Sequence, residues 1–244
     1  MRSQVCFDRN EYVVYEAYRG LHLAYHAKKF LYSGKSRYQT IEIIDNDAYG
    51  VMLFLDQNVQ HTAYDAETFN NALCEPLLKG DYTKVLVFGG GSGQTIKCLL
   101  GSRSIENITM VEIDKKVINS SKRFIPGMKE ALSSPRLETI IGDAFQFIHN
   151  TRRTFDACVL DLTESPLICN LDDKSLKNLY ITIKRKCAGR CVQYIGSSVG
   201  LSPGPRFKHR VQISAPQILS DVKFRKVFIP SFGAPHWIMH AGFD

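Results

Sequence analysis

The chain has 244 residues, 44% of them hydrophobic, enough for one large domain or a domain with a small appendage. Its formal charge of +7 is mild for this length. Without interleaved basic and aromatic residues, that charge argues against a nucleic-acid binder. No run approaches the ~18 apolar residues of a membrane span, and MRSQVCFDRNEYVV has no apolar signal segment. Seven cysteines without a CxxC pair fit free thiols in a reducing compartment, so a cytoplasmic protein is expected.

In chain order, residues 1–61 read mainly as β. TIEII (40–44) and VMLFL (51–55) flank Asp45-Asn46-Asp47-Ala48-Tyr49-Gly50 as a hairpin. The aromatic stretch YEAYRGLHLAYHAKKFLYSGKS before them has weak periodicity, and its type stays open. His22 and His26 would share one face of a helix and can ligate a metal there, but no third ligand stands near and no metal is expected. Thr62 is placed to cap a helix reaching about Leu78, with Ala66, Phe69, Leu73 and Leu77 on one side.

Beyond it, alternating units begin. The apolar runs KVLVFG (84–89), NITMVEI (107–113), LETIIGD (137–143), DACVLDL (156–162) and RCVQYIG (190–196) predict strands. Segments of helical spacing separate them, the longest being LDDKSLKNLYITIKRK, which Asp172-Asp173 would open or cap. This alternation predicts βαβ crossovers in a mostly parallel, doubly wound α/β sheet. VKFRKVFIP and PHWIMHAGF would close the chain as an antiparallel pair, with Trp237 in the core. KRKC (184–187) reads as a solvated helix end and RFKHR (206–210) as part of a Gly/Pro-rich stretch; Cys187 and Cys191 read as buried or incidental thiols. The expected division is an N-terminal β domain, 1–61, and an α/β domain, 62–244.

In such sheets ligands sit beyond the carboxyl ends of the strands, near the switch in strand order. Three features fall there. Gly89-Gly90-Gly91-Ser92-Gly93 is a turn whose backbone can approach a ligand. It is not the dinucleotide fingerprint GxGxxG, because position 94 is glutamine. Glu112, 19 residues past Gly93, can accept both ribose hydroxyls of a nucleoside or be an exposed strand-end acid. Asp143, between Gly142 and Ala144, can accept from an adenine amino group. Together they read as an adenosine site, and a short glycine turn with no Walker lysine favours an AdoMet-type nucleoside over ATP or NAD.

VLVFGGGSG, TMVEIDKKVI and Gly142-Asp143 resemble the signature of the polyamine aminopropyltransferases, the spermidine and spermine synthases. SRYQTIEI (36–43), LFLDQNVQHTAYD (53–65) and IPSFGAPHW (229–237) are similar to further segments of that family. DLTESP (161–166) is similar to the D-L-T-x-x-P of spermine synthases. The resemblance implies a Rossmann-like fold of the class I AdoMet-methyltransferase type. It also implies transfer of an aminopropyl group from decarboxylated S-adenosylmethionine to putrescine or spermidine, without a metal, in a homodimer. By the same resemblance Asp161 would be the base and Glu164 a second acid. Tyr38, Gln39, Gln60, Asp65 and Gln193 would line the donor or acceptor. Gly89, Gly91, Ser92, Gly93, Glu112, Asp143 and Ala144 would hold the nucleoside.

Four positions depart from the family pattern. Ser92 stands for the aspartate that grips the ammonium of the donor's aminopropyl chain, and Ala63 for a glutamate. Gln57 replaces a turn glycine and Phe69 a tyrosine. A hydroxyl brings no charge, and a buried charge-assisted bond contributes about 1.5–3 kcal/mol. Weaker donor binding, a different donor or loss of catalysis is therefore expected. An AdoMet-dependent N-methyltransferase and a non-catalytic paralogue stand as alternatives.

Overall fold

The computed structural model describes residues 12–18, 21–162, 171–198 and 204–243. β1 (Tyr12–Tyr18) and β2 (Leu21–Ala27) form an antiparallel hairpin. β3 (Lys29–Lys35), β4 (Thr40–Asn46), β5 (Gly50–Leu55) and β6 (Asn58–Thr62) form a four-stranded antiparallel sheet. The stretch of open type is thus strand throughout its described residues except Lys28 and Ser36. That corrects the helical pairing of His22 and His26, which both lie on β2. Both faces of the four-stranded sheet are covered. Ile41, Ile43 and Leu53 enter the core shared with the larger sheet, while Ile44, Met52 and Phe54 pack with Tyr25, Ile229 and Phe232. The period-two alternation of a strand produces this split. Asn46 shapes the hairpin, its Oδ1 accepting from the N–H groups of Ala48 (2.9 Å) and Tyr49 (2.8 Å).

α1 spans Ala66–Leu78, and its N-cap is Asp65 rather than the expected Thr62. Thr62 pairs with Met52 in the β5–β6 hairpin, so the sheet claims it before the helix can begin. Pro76 inside α1 has no N–H to offer the carbonyl of Ala72 one turn back. That carbonyl instead lies 3.1 Å from Nε2 of His240. The contact fixes the His240 proton on Nε2, since a carbonyl can only accept.

The large sheet runs β12-β13-β11-β10-β7-β8-β9. Its strands are β7 (Lys84–Gly89), β8 (Asn107–Glu112), β9 (Leu137–Ile141), β10 (Phe155–Asp161), β11 (Cys187–Ser197), β12 (Ser220–Ile229) and β13 (Ala234–Gly242). β7 to β11 are parallel, and β13 and β12 add antiparallel strands at one side. Val85 and Val87 face α1, α2 (Gln94–Leu100), α3 (Lys115–Phe124) and α4 (Met128–Ala131). Leu86 and Phe88 face α5 (Ala144–Asn150), α6 (Asp173–Lys186) and α7 (Gly204–Ser214). A strand buried on both faces needs a continuous apolar run, as KVLVFG supplies.

Asp172 caps α6, accepting from the N–H of Ser175 at 2.7 Å. RFKHR lies on α7. Trp237 is only half-buried, with the ammonium groups of Lys208 and Lys226 4.1 and 4.7 Å from its ring centre, so the expected core position is corrected. No helix among the described residues is long and apolar enough to cross a membrane.

Candidate active site

Strand order reverses between β7 and β10, which lie side by side while their sequence neighbours fan out in opposite directions. Ligands collect at such a switch, beyond the carboxyl ends of the strands. There Asp161, the last residue of β10, stands in register with Gly89, the last of β7. Gly89 has φ +79°, and a Cβ on it would lie 2.4 Å from the carbonyl oxygen of Asp161. Only glycine allows the two strand ends to come this close.

Glu112 ends β8 beneath the turn. Its Oε2 accepts from the N–H of Gly91 (3.1 Å) and its Oε1 from the N–H of Asp114 (2.8 Å). A Cβ on Gly91 would sit 2.8 Å from that Oε2. Burial is the main cause pushing the Glu112 carboxyl up to about 7, and the charges of Asp114 and Asp161 add to the rise. Asp114 caps α3 through Oδ1, accepting from the N–H of Lys116 (3.0 Å). Its Oδ2 accepts from the Ser36 hydroxyl (2.6 Å) and from Nε2 of Gln39 (3.1 Å). One carboxylate thereby pins the β3–β4 turn of the N-terminal sheet beside the glycine turn.

Asp161 is held from α1 and α2. Thr95 Oγ1 lies 2.6 Å from Asp161 Oδ2 and 2.8 Å from Asn70 Oδ1, while Asn70 Nδ2 donates to the carbonyl of Ala66 at 2.7 Å. Thr95 has a single hydroxyl proton. An ionised Asp161 and Asn70 Oδ1 would both compete for it. The Thr95 hydroxyl can donate to Asp161 Oδ2 or to Asn70 Oδ1, one at a time. Burial raises the Asp161 carboxyl above its ordinary range, opposed by the Thr95 contact.

A narrow cavity opens here with about 30 Å³ of room, lined by Gln60, His61, Thr62, Asp65, Ala66, Phe69, Asn70, Ser92, Gln94, Asp161 and Phe232. It brings Gln60, Asp65, Ser92 and Asp161 together. Asp65 is already engaged. Its oxygens accept from the Thr62 hydroxyl (2.7 Å), the Ser231 N–H (2.8 Å) and the Ser231 hydroxyl (2.8 Å). It ties α1 to the turn before β13. Ser92 is half-buried, and its long 3.5 Å contact from the N–H of Gln94 leaves the hydroxyl largely free. Phe69, in place of the expected tyrosine, meets Tyr194 edge to face at 5.3 Å.

The remaining expected residues are dispersed. Asp143 caps α5, its Oδ1 accepting from Phe145 (2.8 Å) and Gln146 (3.3 Å), and Ala144 is the buried first residue of that helix. Both lie near Glu112, whose carbonyl accepts from the N–H of Gly142 at 3.0 Å. Gly93, at φ +87°, opens α2. Tyr38 is exposed, stacked under the Arg37 guanidinium. Gln193 departs from its expected place. It is fully buried on the α6 face of the sheet, its Oε1 accepting from the Tyr180 hydroxyl (2.8 Å), and does not line the cavity. Glu164 lies outside the described residues. Thr95, Asn70, Asp114 and His61 were not foreseen as site residues. An asparagine on the buried side of α1 and a histidine inside a short strand were the available signals.

Comparison with known proteins identifies the family and the fold. A family model described as the spermine/spermidine synthase domain matches residues 72–194, and one described as the spermidine synthase tetramerisation domain matches 12–63. A polyamine aminopropyltransferase of Clostridium kluyveri is 33% identical over 144 residues, 58% of this chain and 52% of that protein. A spermidine synthase of Schizosaccharomyces pombe is 32% identical over 139 residues, 56% of this chain and 47% of that protein. The chain thus spans about half the length of these relatives. A crystal structure of a spermidine synthase with the transition-state analogue AdoDATO shares the fold. Its TM-score is 0.83 at 20% identity, covering 99% of this chain and 84% of that one. With the synthase domain matched across half its length, the chain belongs to the spermine/spermidine synthase family.

Proposed function

We propose that the protein is an aminopropyltransferase of polyamine synthesis. It would move the aminopropyl group of decarboxylated S-adenosylmethionine to an amine of putrescine or spermidine and release 5′-methylthioadenosine. The observation that carries this reading is the cavity joining Asp161 and Ser92 at the switch point, with Glu112 just behind the same turn. Family membership and a related fold crystallised with a transition-state analogue support it.

The amine's lone pair attacks the carbon next to the sulfonium, the C–S bond breaks, and its electron pair neutralises sulfur. The nitrogen gives up a proton. An alkylammonium titrates near ~10.4, so freeing its lone pair at pH 7 costs about 4–5 kcal/mol. Asp161 holds the amine in line and takes that proton. Its raised affinity for protons suits it to the task. A cationic ligand beside it favours the carboxylate form that this step needs.

Glu112 would accept from the ribose hydroxyls and Asp143, with Ala144, would face the adenine, while Gly89, Gly91 and Gly93 shape the turn. Gln60 and Ser92 would meet the aminopropyl chain. Tyr38 and Gln39 would close the site from the segment pinned to Asp114, and Glu164 would be the second acid. Residues 1–61 are read as an N-terminal β domain and 62–244 as the α/β domain, and the chain as self-associating; the matched tetramerisation model goes beyond the dimer expected from resemblance. Free Cys74, Cys98, Cys158, Cys187 and Cys191 fit the cytoplasm.

Ser92 favours one competing reading, an N-methyltransferase using full AdoMet, whose carboxylate an acid at this position would repel. Calorimetry with decarboxylated AdoMet, AdoMet and methylthioadenosine separates the two. The aminopropyltransferase binds the first and third. Binding of AdoMet alone refutes it, and binding of none leaves a non-catalytic relative.

A further inference from the structure

His61 sits on β6, in a strand whose other buried side chains are apolar or fully bonded. It is 4% exposed and lines the same cavity as Ser92 and Asp161. Neither ring nitrogen has a hydrogen-bond partner among the described residues. An imidazole buried without partners costs free energy unless a ligand supplies one. The surrounding chemistry says which ligand group fits.

Burial, reinforced by the charge of Lys97, pushes the imidazole down to about 4, so the ring is neutral at pH 7 and one nitrogen is a pure acceptor. The other polar groups facing this cavity are Asp65, already saturated by Thr62 and Ser231, Asp161, held by Thr95, and the neutral side chains of Gln60, Asn70, Ser92 and Gln94. A free acceptor in a cavity with no other unengaged carboxylate calls for a donor group on the ligand.

We propose that His61 accepts a hydrogen bond from the ammonium of the donor's aminopropyl chain, doing with a neutral ring what a carboxylate at position 92 would do with charge. The inference rests on the aminopropyltransferase reading above. His61 acts here as an acceptor and not as a base. An alkylammonium near ~10.4 would have to give its proton to a ring near 4, a mismatch of about six orders of magnitude.

The test compares two ligands that differ in the aminopropyl group and the sulfonium charge that comes with it. His61→Leu should weaken decarboxylated AdoMet by about 10- to 100-fold in calorimetry and change methylthioadenosine by less than about two-fold. His61→Gln, which keeps a carbonyl acceptor, should recover most of the loss. In the wild-type protein, ¹⁵N-labelled histidine should show one imidazole resonance that moves with decarboxylated AdoMet and stays in place with methylthioadenosine. That readout does not depend on any variant folding. Equal losses for both ligands, or an unmoved resonance, overturns the assignment of His61 while leaving the function intact. A wild-type protein that binds neither ligand overturns the functional reading and this inference with it.

Discussion

If Glu112 holds the ribose as proposed, nucleoside binding is a proton-linked event. Its carboxyl sits under the glycine turn and is pushed up to about 7, mainly by burial, with Asp114 and Asp161 adding like charge and the Gly91 and Asp114 N–H groups opposing the rise. A ribose that donates two hydroxyls to Glu112 needs the ionised form. If binding requires the carboxylate, the apparent dissociation constant scales as one plus the protonated-to-ionised ratio. That factor is about 11 at pH 6 and about 1.1 at pH 8, so methylthioadenosine should bind about ten-fold more weakly at pH 6. The folding contribution has the opposite sign. A carboxyl raised in the folded state adds stability below its unfolded value near ~4.3, and that stability is lost as pH rises through about 7. Calorimetry across pH 6 to 8 measures the binding slope. His61 and His236, both held near 4, stay neutral throughout, and methylthioadenosine has no group titrating in this window. Glu112→Gln should bind more weakly and flatten the profile to within about two-fold. A wild-type affinity independent of pH, or a variant that keeps the slope, refutes the assignment of the ribose to Glu112.

Asp161→Asn should lower turnover by about 10²- to 10⁴-fold while methylthioadenosine affinity stays within a few-fold, checked by steady-state kinetics and calorimetry. Full activity would remove Asp161 as the base. Ser92→Asp should tighten decarboxylated AdoMet by about 10- to 100-fold and restore most of the affinity lost in His61→Leu, measured by titrating the single and double variants. No recovery would mean the two positions do not serve the same ammonium. His240→Phe leaves the Ala72 carbonyl without the donor that replaces the missing Pro76 N–H, and should destabilise folding by about 1–3 kcal/mol. A urea midpoint unchanged at constant slope would contradict that account.

The α/β frame was legible because the central parallel strands β7, β8 and β10 are largely buried on both faces and therefore appear as mainly apolar runs ending at Gly89, Glu112 and Asp161. Ends of such runs lie at one edge of the sheet, so the candidate nucleoside residues could be located before their contacts were known. Gln193 shows where that logic stops. Side chains alternate along a strand, and one residue of offset turns a side chain to the opposite face. Tyr194, not Gln193, faces Phe69. Thr95 and Asn70 meet only because α1 packs on α2, and Asp65 finds Ser231 at a separation of 166 residues. Neither contact has a local sequence signature. Thr62 carried the right chemistry for a cap, but strand pairing took it first. His61 drew no notice because its importance lies in having no partner, and burial must be known before that can be seen.

Product analysis distinguishes aminopropyl transfer from methyl transfer. The protein should be incubated with decarboxylated AdoMet or with AdoMet, each in the presence of putrescine and of spermidine. Aminopropyl transfer yields one methylthioadenosine for each polyamine lengthened by an aminopropyl group, with decarboxylated AdoMet only. A methylated amine formed from AdoMet, with no lengthened polyamine from either donor, would contradict it.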